Sequence, residues 1–264
     1  MGKSLYIASV VFVSAFMFPS CANLDASQET SSGDSVLQQN ELLYPQDIIY
    51  FSQDFFLAIR YDDPIESFLD TIAKLNLDKL SNDLNSEDIK LAFWINIYNS
   101  MVQSKIILDE NSFKNQNSFF KEKDVDFGAN KISLDEIEHG IIRGKSYANN
   151  AFVKRFKLNK LNYRIHFTMN CGASSCPAIA YYKPETIQED LVLAENVFVS
   201  SNSSYDSVTN VLYTSELFNW FKEDFNGESG IIDIMRINYV IPFDVEPSIK
   251  YESYNWDLKS KNYK

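Results

Sequence analysis

SEDIKLAFWINIYNSMVQSKIIL, residues 86–108, reads as one long helix. Asn85 or Ser86 is available as the N-cap, and Glu87 and Asp88 place negative charge in the first turn, where unpaired N–H groups favour it. Leu91, Ile95, Tyr98, Val102 and Ile106 fall on one side, and Trp94, Ile97 and Met101 on another. A helix that is apolar nearly all round belongs in the middle of its domain. Advancing about 100° per residue gathers Asn96, Asn99, Ser100 and Gln103 into one polar arc about 100° wide. Buried amides must find hydrogen-bond partners, so this stripe is expected either to tie down neighbouring loops or to face a wet cleft as a binding surface.

Working outward, residues 46–59 and 64–75 read as short helices on the N-terminal side. On the C-terminal side, ISLDEIEHGIIRG (132–144) starts with the S-x-x-E capping box of Ser133 and Glu136, and Ile132 with Ile137 has the spacing of a hydrophobic staple. Counting from Leu134, Ile137, Ile141 and Ile142 define the core face; Glu138 falls inside it and His139 on its edge. A carboxylate at that position needs a partner. LNYRIHFTMN (161–170), rich in β-branched and aromatic residues, is expected to be a strand, followed by a cysteine-bearing loop and a helix from Pro184 to Ser201. Residues 205–213 are weakly strand-like, Ser215 can cap a helix over 215–225, residues 231–243 are mixed, and the end of the chain, from Val245 to Leu258, is expected to be extended. The expected class is α+β: a single domain over 44–264, with a buried central helix, surrounding helices and a small, mainly antiparallel sheet.

Before this domain, Lys3 and the apolar run Leu5–Phe18 form an export-signal pattern over residues 1–20, too short to span a bilayer comfortably. Cys21 follows at the position where bacterial lipoproteins carry lipid. The expectation is a membrane anchor through lipid on Cys21, with residues 21–43 as a polar tether and the domain held at the cell envelope, on its periplasmic or surface side. Against 24 Lys and Arg stand 36 Asp and Glu, a net charge of −12, which opposes binding to phosphate backbones and excludes nucleic acid as an expected partner.

Several stretches together resemble the bacterial and plant family called domain of unknown function 547. They are AFWINIYNS (92–100), ISLDEIEHGIIR (132–143), IHFTMNCGASSCPA (165–178), SELFNWFKEDF (215–225) and YNWDL (254–258). The resemblance implies a shared α+β fold and a cleft built from these motifs, with no reaction attached. The family usually reads Tyr-Asp-Trp where this chain has Tyr254-Asn255-Trp256, so a carboxylate role at Asn255 is not expected.

The loop HFTMNCGASSCPA (166–178) admits three chemistries. In the first, Cys171 is a thiolate nucleophile for hydrolysis or transfer of a peptide or amide acyl group. Gly172, Ala173, Ser174 and Ser175 would then let substrate approach backbone N–H groups that form an oxyanion hole. His166, five residues from Cys171, faces the other side of a flat strand, so His139 is the preferred base, oriented by Glu138 or the Asn96 stripe. Arg143 could bind a substrate carboxylate, although an exposed ion pair is its ordinary use. In the second, Cys171 and Cys176 form a disulfide that staples the loop of a non-catalytic ligand- or partner-binding protein. In the third, both cysteines and both histidines hold zinc, with an uncommon ligand spacing. Neither of the first two readings implies a cofactor. Trp94 and Trp220 are expected in the core.

Overall fold

The computed structural model describes residues 44–145, 147 and 149–263, so the expected export signal, Cys21 and the whole of the tether lie outside the described residues. The N-terminal helices are α1 (Ile48–Tyr61), α2 (Glu66–Ala73) and α3 (Leu77–Asp83), with Asp47 capping α1 and Asn76 capping α3 through side-chain oxygens. They lead into α4 (Glu87–Leu108), against which α1 packs along its length. Ser86 is the N-cap of α4, accepting from the Ile89 N–H at 3.2 Å. Every residue from Leu91 to Ser104 is buried, as expected for a helix that is apolar nearly all round and central to its domain.

The polar stripe of α4 ties loops to the helix. The Asn96 amide donates to the Tyr182 carbonyl at 2.9 Å and accepts from the Tyr182 N–H at 2.8 Å. Asn99 donates to the Thr168 carbonyl at 3.0 Å and accepts from the Asn170 N–H at 2.8 Å. Gln103 accepts from the Lys261 N–H at 2.9 Å. Each side-chain amide thus replaces a strand neighbour for a segment that has none, satisfying backbone groups that burial would otherwise leave unpaired.

After α4 come α5 (Gln116–Lys121) and an antiparallel hairpin of β1 (Val125–Phe127) and β2 (Asn130–Ile132). A π-helical turn follows over Glu136–Ile142, then α6 (Ala151–Phe156). The capping box forms: Ser133 Oγ accepts from the Glu136 N–H and a Glu136 oxygen accepts from the Ser133 N–H, both at 3.1 Å. Beyond the cysteine loop lie α7 (Ile187–Asn202), β3 (Ser203–Asp206), β4 (Val211–Ser215), α8 (Glu216–Trp220), α9 (Gly227–Ile237) and β5 (Ser248–Glu252). β4 pairs antiparallel with β3 and parallel with β5, so the second sheet is mixed. The class is α+β.

The expected strand over 161–170 is not one. Residues Tyr163–Phe167 form a 3-10 turn, opened by Asn162 accepting from the Arg164 N–H at 3.1 Å. The β-branched and aromatic side chains of this segment mark burial, since Ile165, His166 and Phe167 are all enclosed. Helix α9 similarly replaces the mixed reading of 231–243 up to Ile237, burying Ile231, Ile232, Ile234 and Met235. The buried side chains form two clusters, a large one around α4 and a smaller one that includes Phe167, Phe198, Phe218, Phe225 and Met235. Ile165 and Phe167, two residues apart, enter different clusters, so the turn that carries His166 is where the two meet.

Candidate functional site

At that junction a cleft of about 320 Å³ is lined by residues distant in sequence. Trp220, Tyr254 and Trp256 pack as a trio in its lining, with ring centroids 4.9 to 5.7 Å apart. At that spacing no ligand fits between the rings, so they form a wall onto whose open face a flat or apolar group can stack. Trp220 is 45% exposed, which corrects the expectation that it belongs to the core, whereas Trp94 is fully enclosed.

The π-helical turn and the residue before it supply the polar side of the cleft: Asp135, Glu138 and His139 line it together. Such wide turns recur at functional sites, where they re-aim side chains at the cost of regular helix geometry. The partner that Glu138 required is the phenol of Tyr98 on α4, which donates to Oε2 at 2.6 Å. Burial, and then the adjacent Glu138 carboxylate, push the Tyr98 hydroxyl well above its ordinary value, so it stays a donor.

His139 Nδ1 lies 3.0 Å from Arg143 Nη1. A guanidinium can only donate, so Nδ1 accepts in this contact and Nε2, 3.7 Å from Asp135 Oδ1, carries the ring proton; Glu138 Oε1 also lies 3.5 Å from Nδ1, beside the ring as the sequence placed it. The lone pair a general base would use is therefore already engaged.

Arg143 belongs to a second polar cluster, centred on the buried Asp224 and reaching the surface at Lys145. The carboxylate accepts from Arg143 Nε at 2.7 Å, from Lys145 Nζ at 2.8 Å and from His166 Nε2 at 2.9 Å. Burial alone would raise the Asp224 carboxyl; the bonds from His166, Lys145 and Arg143 overcome this and hold it well below the carboxylate range. Burial lowers the His166 imidazole below its ordinary value, against the opposing pull of Asp224. Stacked on Phe221 at 4.0 Å and bonded to Asp224, His166 serves as a structural link between the two clusters, although its edge reaches the cleft.

Cys171 and Cys176 are joined by a disulfide with their Cα atoms 6.2 Å apart, and Cys171 lines the cleft. The loop between them has little freedom. Gly172 has φ +90°, and a Cβ there would come within 2.7 Å of Ile106. The N–H groups expected to form an oxyanion hole are paired within the protein: Gly172 with Asn170 Oδ1 at 2.8 Å, Ser174 with the Asp257 carbonyl at 2.8 Å, and Ser175 with the Asn255 carbonyl at 3.2 Å. Ala173 bridges to Leu258 in the same C-terminal segment. Asn255 accepts from the Asp257 N–H at 2.8 Å, a turn contact that needs no carboxylate.

Of the residues singled out in the sequence, Glu138, His139, His166 and Cys171 come together around one cleft. Asn96, Asn99 and Gln103 do not line it; they hold the loops behind it. Arg143 anchors to Asp224 in place of the expected exposed ion pair. The zinc set is not assembled, and among the described residues no group of three or more His, Cys, Asp or Glu is placed to hold a metal ion. Sequence reasoning missed Asp224, Tyr98 as the Glu138 partner, and Tyr254, whose hydroxyl lies 3.2 Å from Cys176 Sγ and 3.5 Å from Cys171 Sγ.

Residues 82–199 match the family described as protein of unknown function, DUF547. The matched span runs from the end of α3 through the central helix, the π-helical turn and the cysteine loop into α7, so it contains Glu138, His139, His166 and Cys171; the motifs at 215–225 and 254–258 lie beyond it. No curated protein and no solved structure matches the chain.

Proposed function

We propose that the protein is a ligand-binding lipoprotein of the cell envelope, tethered through lipid on Cys21, in which the Cys171–Cys176 disulfide staples one side of the binding cleft. The observation that carries this reading is the juxtaposition of an aromatic wall, Trp220, Tyr254 and Trp256, with the carboxylates of Asp135 and Glu138 in one cleft. Such a site favours a ligand with an apolar or aromatic group beside an amine or N–H donor, as a peptide offers.

Tryptophan fluorescence titrated with a short aromatic peptide tests it. The expected result is saturable binding weakened at least tenfold by acetylating the peptide's amino group, and again by Trp220→Ala. Absence of saturation, or indifference to acetylation, would remove the proposal.

A second reading, acyl transfer from Cys171, is favoured by one observation: His139 and Cys171 line the same cleft. It requires reduction of the disulfide and release of His139 Nδ1 from Arg143. In reduced protein a thiol-directed probe should then label Cys171 in a His139-dependent way; an unchanged rate in His139→Ala would eliminate the pairing.

A further inference from the structure

The two sulfurs of the staple are not equivalent. Cys171 lines the cleft, whereas Cys176 is 7% exposed. Cys176 Sγ also accepts two hydrogen bonds, from the Cys171 backbone N–H at 3.0 Å and from the Tyr254 hydroxyl at 3.2 Å. A disulfide sulfur gains little from such donors, but a thiolate gains a great deal, because charge strengthens each bond. Burial, followed by the nearby Glu138 charge, raises the Tyr254 hydroxyl, so it remains protonated as a donor. The Tyr254 hydroxyl also lies 3.5 Å from Cys171 Sγ, but only Cys176 Sγ has both the shorter approach and the backbone N–H, so the surroundings favour negative charge on Cys176.

We propose that the Cys171–Cys176 disulfide is an exchange-active redox centre that reacts with thiols entering the cleft. A thiolate attacks Cys171 Sγ and forms a mixed disulfide. The Cys171–Cys176 bond breaks, and its electron pair passes to Cys176 Sγ, which departs as a thiolate held by the Cys171 N–H and the Tyr254 hydroxyl. A second thiolate attacks the substrate sulfur of the mixed disulfide and releases Cys171. The net change is two thiols oxidised to one disulfide and the protein disulfide reduced to two thiols, with the thiol protons passing to water and then to the two cysteines. A small disulfide of the same class runs the sequence backwards and restores the staple. The substrate class is a peptide or small-molecule thiol; the exchange does not depend on which ligand the cleft binds at its aromatic wall.

Cys176 also borders a second cavity beside Pro177 and Tyr181, so attack from that side is a real competitor. Mapping the adduct decides between them. The folded, mature full-length protein is treated with reduced glutathione in the presence of iodoacetamide, quenched with acid, and mapped by mass spectrometry. The expected product carries glutathione on Cys171 and the alkyl group on Cys176, and Tyr254→Phe forms it about tenfold more slowly, the effect of losing one donor to a charged leaving group. Glutathione found on Cys176 would overturn the proposal. So would a disulfide that resists millimolar glutathione until the protein is denatured, or an unchanged rate in folded Tyr254→Phe. The wild-type map stands whether or not the variant folds.

Discussion

Replacing Asn99 by alanine isolates what the amide stripe contributes. The side chain is fully buried and makes two bonds to one loop, donating to the Thr168 carbonyl at 3.0 Å and accepting from the Asn170 N–H at 2.8 Å. Thr168 and Asn170 are themselves fully buried, so no water replaces the lost partner. Each orphaned backbone group costs about 1–3 kcal/mol, which puts Asn99→Ala near 4 kcal/mol, a large share of the roughly 5–15 kcal/mol that holds a typical domain together. Urea denaturation measures the total, with Ser200→Ala on the exposed face of α7 as a comparison expected to stay within about 0.5 kcal/mol. Hydrogen exchange adds a local readout, because the Asn170 amide should lose protection before its neighbours in α4. A loss below about 1 kcal/mol, with the Asn170 amide still protected, would refute the view that the stripe holds the loop carrying Cys171.

Gly172→Ala should destabilise by about 2 kcal/mol or more, since it combines a left-handed φ with a close approach to Ile106; a denaturation midpoint equal to wild type would contradict this. Tyr98→Phe removes the 2.6 Å bond to Glu138 and should cost about 2 kcal/mol in urea denaturation, the range for a bond to a charged group. Acidification should lower stability in two stages. His166 is depressed when folded, so its contribution is complete above its unfolded value of about 6.5 and declines as pH falls below it. Asp224 is also depressed, so its contribution is present above an unfolded value of about 3.9 and lost as pH falls towards its folded value. His166→Gln keeps a side-chain N–H donor without a titration, and the loss between pH 7 and 5 should disappear in its pH–stability curve.

The parts of the fold that could be read from the chain are those encoded locally. The N-cap and burial of α4 and the Ser133–Glu136 capping box rest on residues within a few positions of one another. The demand for partners by the amide stripe and by Glu138 was likewise legible, but the partners were not. Tyr98 lies 40 positions from Glu138, and Asp224 lies 58 from His166 and 81 from Arg143; no periodicity connects them. The mistaken strand at 161–170 has the same origin. Aromatic and β-branched residues suit any enclosed site, and here backbone pairing is supplied by the side chain of Asn99 in place of a neighbouring strand. Tyr254 lies 78 positions from Cys176 and meets it only because the C-terminal segment closes over the cysteine loop.

Cys171 is joined to Cys176 in the disulfide that staples the cleft. Intact mass of the mature protein, purified without reductant and alkylated under denaturing conditions, tests it most directly. The expected result is no alkyl group on Cys171 or Cys176. Two alkyl groups on those cysteines would contradict it and return Cys171 to the role of a free nucleophile.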